Sequence, residues 1–212
     1  IDLNTLYPVV SCPHHVDHVK AVDEVEGTPV GQALIGTCTN GRLSDLQIAA
    51  TVVRGKHVTE GVQFLVIPAS REIYLQAVRE GIIETLMEAG ANILSPRCGP
   101  CLETGQGIPA DGINVISTAN RNFSGRMGNK NASIYLASPV TVALSALEGK
   151  IVSPSKTRGN RFEFTRDQSP TVRINPDENR RFNGVWAYQD VNNFNTDQMF
   201  AGNLVYNILS SD

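Results

Sequence analysis

The sequence predicts an α/β domain: a mostly parallel sheet with helices on both faces, followed by a linker and a short β tail. Three observations lead there. Short apolar runs alternate with helix-period segments at the spacing that βαβ units produce. Each run is brief and unbroken, as strands buried on two sides are. Finally, 41% of the 212 residues are hydrophobic and 18% charged, enough for a packed core, so disordered, collagen-like and coiled-coil architectures are excluded. The length suits one ordinary domain with an appendage.

Residues 1–31 carry Pro8, Pro13 and Pro29 among scattered charges and read as a lead-in segment without a sustained period. The regular pattern occupies 32–152. Ala33-Leu34-Ile35, closed by Gly36, is the first strand. Ser44 to Val53 is the first helix, with Ser44 as its cap, Asp45 in the first turn and Gly55 as its stop. Val62 to Ile67 is the second strand. Ser70 caps a helix over Arg71 to Arg79, Gly81 breaks it, and Ile82 to Ala89 continues to Gly90. Ala91 to Leu94, Ile113 to Ile116 and Ser133 to Ala137 complete the strands, and a Pro139-initiated helix runs through Leu147 to Gly149. The polar, basic stretch 153–183 reads as a linker. The last piece, 184–212, begins strand-like at Gly184-Val185-Trp186 and reads as the truncated start of a second domain.

No apolar run approaches the ~20 residues that span a bilayer, and no signal peptide is visible at Ile1-Asp2-Leu3. A cytoplasmic location is expected. With no initiator Met, the chain is expected to be a piece of something longer. The net charge of −3 argues against general nucleic-acid binding. Residues 150–181 do hold 8 Lys/Arg against 4 Asp/Glu, but without a recognition motif they read as a solvated linker.

Ligands of parallel α/β sheets bind beyond the carboxyl ends of the strands. Three unusual segments fall there: Gly36-Thr37-Cys38-Thr39-Asn40-Gly41, Pro96-Arg97-Cys98-Gly99-Pro100-Cys101 and Asn120-Arg121-Asn122-Phe123-Ser124-Gly125-Arg126. Cys38, Cys98 and Cys101 therefore face one end of the sheet, and clustered cysteines in a chain without a signal point to metal or redox chemistry. Structural zinc takes four protein ligands and catalytic zinc three. Three thiolates on a [4Fe–4S] cube would leave one iron open as a Lewis acid. Arg121 and Arg126 offer planar forks suited to carboxylates. From spacing alone the bland alternative stays open: Cys38 as a small buried hydrophobe and the arginines as surface groups.

In that order the three segments resemble the signatures of the aconitase superfamily, flanked by Pro13-His14 and Ile134-Tyr135-Leu136-Ala137-Ser138-Pro139. Over about residues 5–152 the form is most similar to the large subunit of 3-isopropylmalate dehydratase and its homoaconitase relatives. The resemblance implies that Cys38, Cys98 and Cys101 ligate a [4Fe–4S] cluster. It implies that Arg121 and Arg126 clamp the carboxylates of a small polycarboxylate substrate, and that Asn120 orients substrate or cluster. The implied reaction is a dehydration and rehydration that moves a hydroxyl to the adjacent carbon, with isopropylmalate, homocitrate, citrate and dimethylmalate all open as substrates.

Glu103 departs from the glycine common in the family at that place. Gly184-Val185-Trp186 with Asn195-Thr196-Asp197-Gln198 more weakly resembles the start of the family's small swivelling subunit or domain. The implied partners are that swivel part and the remaining large-subunit domains. Since the resemblance puts the base and its acidic partners in those parts, no catalytic residue is assigned here, and the polypeptide alone is expected to be inactive and able to lose its cluster. Two rivals remain. Cys98-Gly99-Pro100-Cys101 is the thioredoxin active-site tetrapeptide, although Gly105, Gly107 and Pro109 would stop the helix such a site needs. A structural zinc site would combine the three cysteines with His14, His15 or His18. Cys12, outside the strand-end segments, is assigned no ligand role.

Overall fold

The lead-in segment, expected to be irregular, contributes two strands. In the computed structural model, which describes residues 6–154, β1 (Val9–Ser11) and β2 (Val19–Ala21) pair antiparallel with Val10 opposite Lys20. Three residues apiece is too short a run for an alternating pattern to show in sequence. A single turn, α1 (Val22–Val25), follows. The unbroken run β3 (Gln32–Gly36) is buried at every position. It leads into a four-residue turn, α2 (Thr37–Asn40), and then α3 (Leu43–Val53). After β4 (Gln63–Ile67) come α4 (Arg71–Arg79), α5 (Ile82–Glu88) and the two-residue β5 (Asn92–Ile93). The chain closes through β6 (Asn114–Ser117), β7 (Ser133–Leu136) and α6 (Pro139–Glu148). The tail expected at 184–212, and all of the linker expected at 153–183 beyond its first two residues, lie outside the described residues.

The strands hydrogen-bond in the order β2-β1-β7-β6-β3-β4-β5. From β3 to β7 the pairings are parallel, and the hairpin joins antiparallel through Ser11 opposite Leu136. The chain leaves β3 toward β4 and β5, then crosses back to lay β6 on the other side of β3. This reversal opens a crevice at the carboxyl ends of β3 and β6, where α/β sheets receive ligands.

Alternation along the strands divides the core. Ala33, Ile35, Phe64, Val66 and Ile116 face a large cluster with Leu46, Ala49, Val53, Leu86, Val142 and Ala143 from α3, α5 and α6. Completely burying a side chain such as Phe64 or Leu46 stabilises the fold by about 1.5–3 kcal/mol. Leu34, Leu65, Ile67, Val115 and Ile134 face the opposite side, where a smaller cluster includes Met127 and packs against half-buried Leu94 and Cys101.

Helix ends follow local chemistry. The Ser70 hydroxyl accepts the Ile73 N–H at 3.2 Å and that of Ser138 accepts the Thr141 N–H at 3.3 Å, while Gly149 ends α6 at φ 67°. The start of α3 differs from expectation: Arg42, not Ser44, is the cap. The Asp45 carboxylate accepts the Arg42 backbone N–H at 3.1 Å and its Nε–H at 3.0 Å, which draws the helix start back to Leu43. No helix among the described residues is long and apolar enough to cross a membrane.

Candidate functional site: a thiol and arginine cluster at the sheet edge

The first site segment is shaped by close packing at the end of β3. Gly36 has φ 116°, and a Cβ there would lie 1.9 Å from the Ile67 carbonyl oxygen, so only glycine lets β3 leave the sheet past β4. Thr37 follows at φ 72°, a left-handed conformation that is costly for a β-branched residue, and is nevertheless buried. The resulting turn presents Cys38 as an exposed thiol.

The second segment continues from β5. After Cys98, residues Gly99–Leu102 form a single 3₁₀ turn that stops at Glu103 in the left-handed region, φ 60°. That backbone is the physical reason for a glycine preference at position 103. The Glu103 side chain is exposed. Beneath the turn, Gly99 lies directly over Ile67, whose Cδ1 would be 2.4 Å from an added Cβ. Cys98 and Cys101 are half-buried.

The third segment leaves β6. Arg126 reaches back to the cysteine turn and donates from Nη1 to the Cys101 carbonyl at 2.9 Å, with its guanidinium 5.7 Å from the centre of the Phe123 ring. Its Nε is buried without a hydrogen-bond partner, a donor left over for a ligand. Arg121 is exposed. Asn120 is already engaged: its Oδ1 accepts from Asn40 at 2.8 Å and its Nδ2 donates to the Thr39 hydroxyl at 2.8 Å.

Loops after three different strands therefore bring the three sulfurs, from the loops after β3 and β5, and Arg126, from the loop after β6, into mutual reach. Burial pushes the Cys98 thiol up; the neighbouring Cys38 thiol adds to this by its charge and by a hydrogen bond, while Arg126 pulls the other way. Cys101 is likewise raised, first by burial and further by Cys98 and Cys38, against Arg126 and a hydrogen bond from Thr37. All four cysteines are free thiols. Among the described residues no group of three His, Cys, Asp or Glu side chains stands ready to hold a single metal ion. A cluster asks for something else, since each cysteine ligand of a cube binds its own iron. Three soft sulfur donors fit such a group chemically, and binding it would displace the thiol protons.

Reasoning from spacing missed four supporting residues: Thr37, Asn40, Thr118 and Asn122. Fully buried Asn122 donates from Nδ2 to the Cys12 carbonyl at 2.7 Å and to the Ser11 hydroxyl at 3.2 Å, tying the arginine loop to the hairpin. Asparagines standing two apart around Arg121 were the available signal. Cys12 is buried in the hairpin, where its N–H donates to the His18 carbonyl at 2.8 Å.

The described residues thus form an α/β domain with a mostly parallel sheet, whose strand-end loops gather three thiols and a guanidinium. Residues 10–149 match the aconitase family (aconitate hydratase). The chain belongs to that family. It is 58% identical over 154 residues to the 3-isopropylmalate dehydratase large subunit 2 of Archaeoglobus fulgidus, covering 73% of this chain and 37% of the relative. It is 55% identical over 155 residues to a probable methanogen homoaconitase large subunit of Methanosarcina mazei, covering 73% and 39%. Against the 3-isopropylmalate dehydratase large subunit of Clostridium botulinum the figures are 51% over 154 residues, 73% and 37%. The chain thus spans less than two fifths of the length of the curated relatives it matches.

Proposed function

We propose that this chain is the cluster- and carboxylate-binding part of a [4Fe–4S] hydro-lyase that isomerises a small hydroxy polycarboxylate of the 3-isopropylmalate, homocitrate or citrate type. Cys38, Cys98 and Cys101 are the ligands. Arg126 receives a substrate carboxylate through its spare Nε, Arg121 supplies a second cationic fork from solvent, and Asn120 orients what lies between them. The reading is carried by one observation: thiols from the loops after β3 and β5 are near neighbours of one another and of Arg126, whose Nη1 donates to the Cys101 carbonyl at 2.9 Å. When bound, the cluster supplies the Lewis acidity that lets hydroxide depart. Arg126, braced on the Cys101 carbonyl, holds the carboxylate at a fixed place relative to the thiols. Relatives are named large subunits, which supports the remaining large-subunit domains and a small swivel subunit or domain as partners.

The disulfide-exchange alternative fares worse on two counts. Its active cysteine needs the positive end of a following helix to lower its pKa. Here the tetrapeptide is followed by no helix turn beyond Leu102, and burial drives the Cys98 thiol up. The zinc alternative lacks a site. His18 and His15 lie in the β1–β2 hairpin, with Nδ1 3.3 Å from the Pro13 carbonyl and 3.6 Å from the Asp17 carboxylate respectively, and among the described residues no three His, Cys, Asp or Glu side chains are grouped to hold one metal ion.

Anaerobic reconstitution with iron and sulfide tests the proposal. The expected result is about four iron and four sulfide per chain with a visible absorption band. Serine at position 38, 98 or 101 should abolish the band, and Cys12→Ser should leave it intact. Full iron loading of a Cys38→Ser chain, or zinc in place of iron and sulfide, would overturn the assignment.

A further inference from the structure

We infer that Asn40 is a positioning residue of the cysteine site: its carboxamide clamps the turn bearing Cys38 to the end of β6, so that Cys38 stands against Cys98. This rests on reading the thiols as one site. A four-residue turn cannot hold its own place, because its backbone groups have almost no partners within it. Two anchors hold α2 instead. On the β4 side, the Gly41 carbonyl accepts the Ala69 N–H at 2.9 Å, with Gly41 pressed so close that an added Cβ would lie 2.3 Å from the Ile67 oxygen.

On the β6 side, Asn40 Nδ2 donates both to the Thr118 carbonyl and to Asn120 Oδ1, the latter at 2.8 Å. Asn120 returns a bond to the Thr39 hydroxyl at 2.8 Å, and the Thr118 hydroxyl accepts the Gly36 N–H at 2.9 Å. The four bonds form a ring across the switch point, joining positions 78 to 82 residues apart. Asn40 is its hub, because both hydrogens of its amide nitrogen are donated across the switch point. Two atoms of the Asn120 carboxamide are spent within this ring, so Asn120 acts on the site together with Asn40.

The test uses the full chain, reduced and metal-free, oxidised briefly with diamide, which takes a hydrogen from each of two thiols as they join. After alkylation, mass spectrometry counts the Cys38–Cys98 and Cys98–Cys101 links. The first should form readily in the parent chain. It should fall at least fivefold in Asn40→Ala and in the isosteric Asn40→Asp, while the Cys98–Cys101 link, which competes for the same Cys98 sulfur, does not fall. Asn40→Ala combined with Asn120→Ala should fall no further than either alone, and Asn131→Ala should behave as the parent. Absence of the Cys38–Cys98 link in the parent, or yields within twofold of it in both Asn40 variants, would overturn the inference. Iron uptake by the same proteins separates the two readings. A parent chain that takes up no iron, yet loses the link on Asn40 substitution, refutes the cluster and leaves the clamp standing. A parent that loads iron while its Asn40 variants keep the link does the reverse.

Discussion

Thr37 stores strain of about 1–3 kcal/mol in its left-handed backbone, and its neighbours keep it there: Gly36 wedged against Ile67, a hydrogen bond to Cys101 and the Asn40 ring. Cys12 shows a different balance. Burial raises its thiol, Lys20 lowers it and Glu24 raises it. A folded value above the unfolded one means that the native state holds the proton more tightly. The associated stability is whole below the unfolded thiol value of about 8.5 and is lost as pH rises through the folded value. We predict that the unfolding free energy of the reduced chain declines from about pH 8.5 upward, and that Cys12→Ala makes the decline shallower, leaving the share of Cys98 and Cys101. Urea titrations at several pH values measure it; an identical slope in both proteins would exclude the assignment. At this scale the sulfurs and Arg126 were legible, being rare side chains in short segments. Asn40 and Thr118 were not, because hydrogen bonds between positions 78 residues apart leave no local pattern.

Elements with strong ends could be read before the fold was seen. Ser70 marks the start of α4 and Pro139 that of α6, with Gly149 marking a stop; the Ser138 hydroxyl, not read as a cap from sequence, also holds the start of α6. Ser138→Ala should therefore cost about 1 kcal/mol, seen as a lower urea midpoint with an unchanged slope; no change would mean that Pro139 alone sets the start of α6. Elements defined by tertiary contacts resisted reading. The three-residue strand β1 is held by β7 and Asn122, and β2 pairs on β1 alone. The turns α2 and Gly99–Leu102 depend on left-handed backbone at Thr37 and Glu103, which neither residue type announces. At α3, the Arg42–Asp45 pair outcompeted the serine that composition favoured.

For the molecule as a whole, the parallel arrangement and the reversal between β3 and β6 turn three segments distant in sequence into one edge. Strand and helix alternation predicted the sheet, whereas strand order had no local signature. The proposed function carries an expectation for the 212 residues taken alone. After reconstitution they should bind a polycarboxylate but not interconvert 3-isopropylmalate, homocitrate or citrate with the dehydrated acids. Chromatographic detection of product above the level of a Cys38→Ser control would refute it.

The turn carrying Cys101 also roofs the smaller apolar cluster over Leu65, Ile67 and Met127. Occupancy of that sulfur and closure of the roof are consequently linked equilibria: whatever grips the thiolate adds its binding free energy to the melting resistance of the sheet below. On the proposed function, a chain whose Cys101 sulfur carries no cluster should loosen this half of the core first, so that the domain's own cohesion reports on loading.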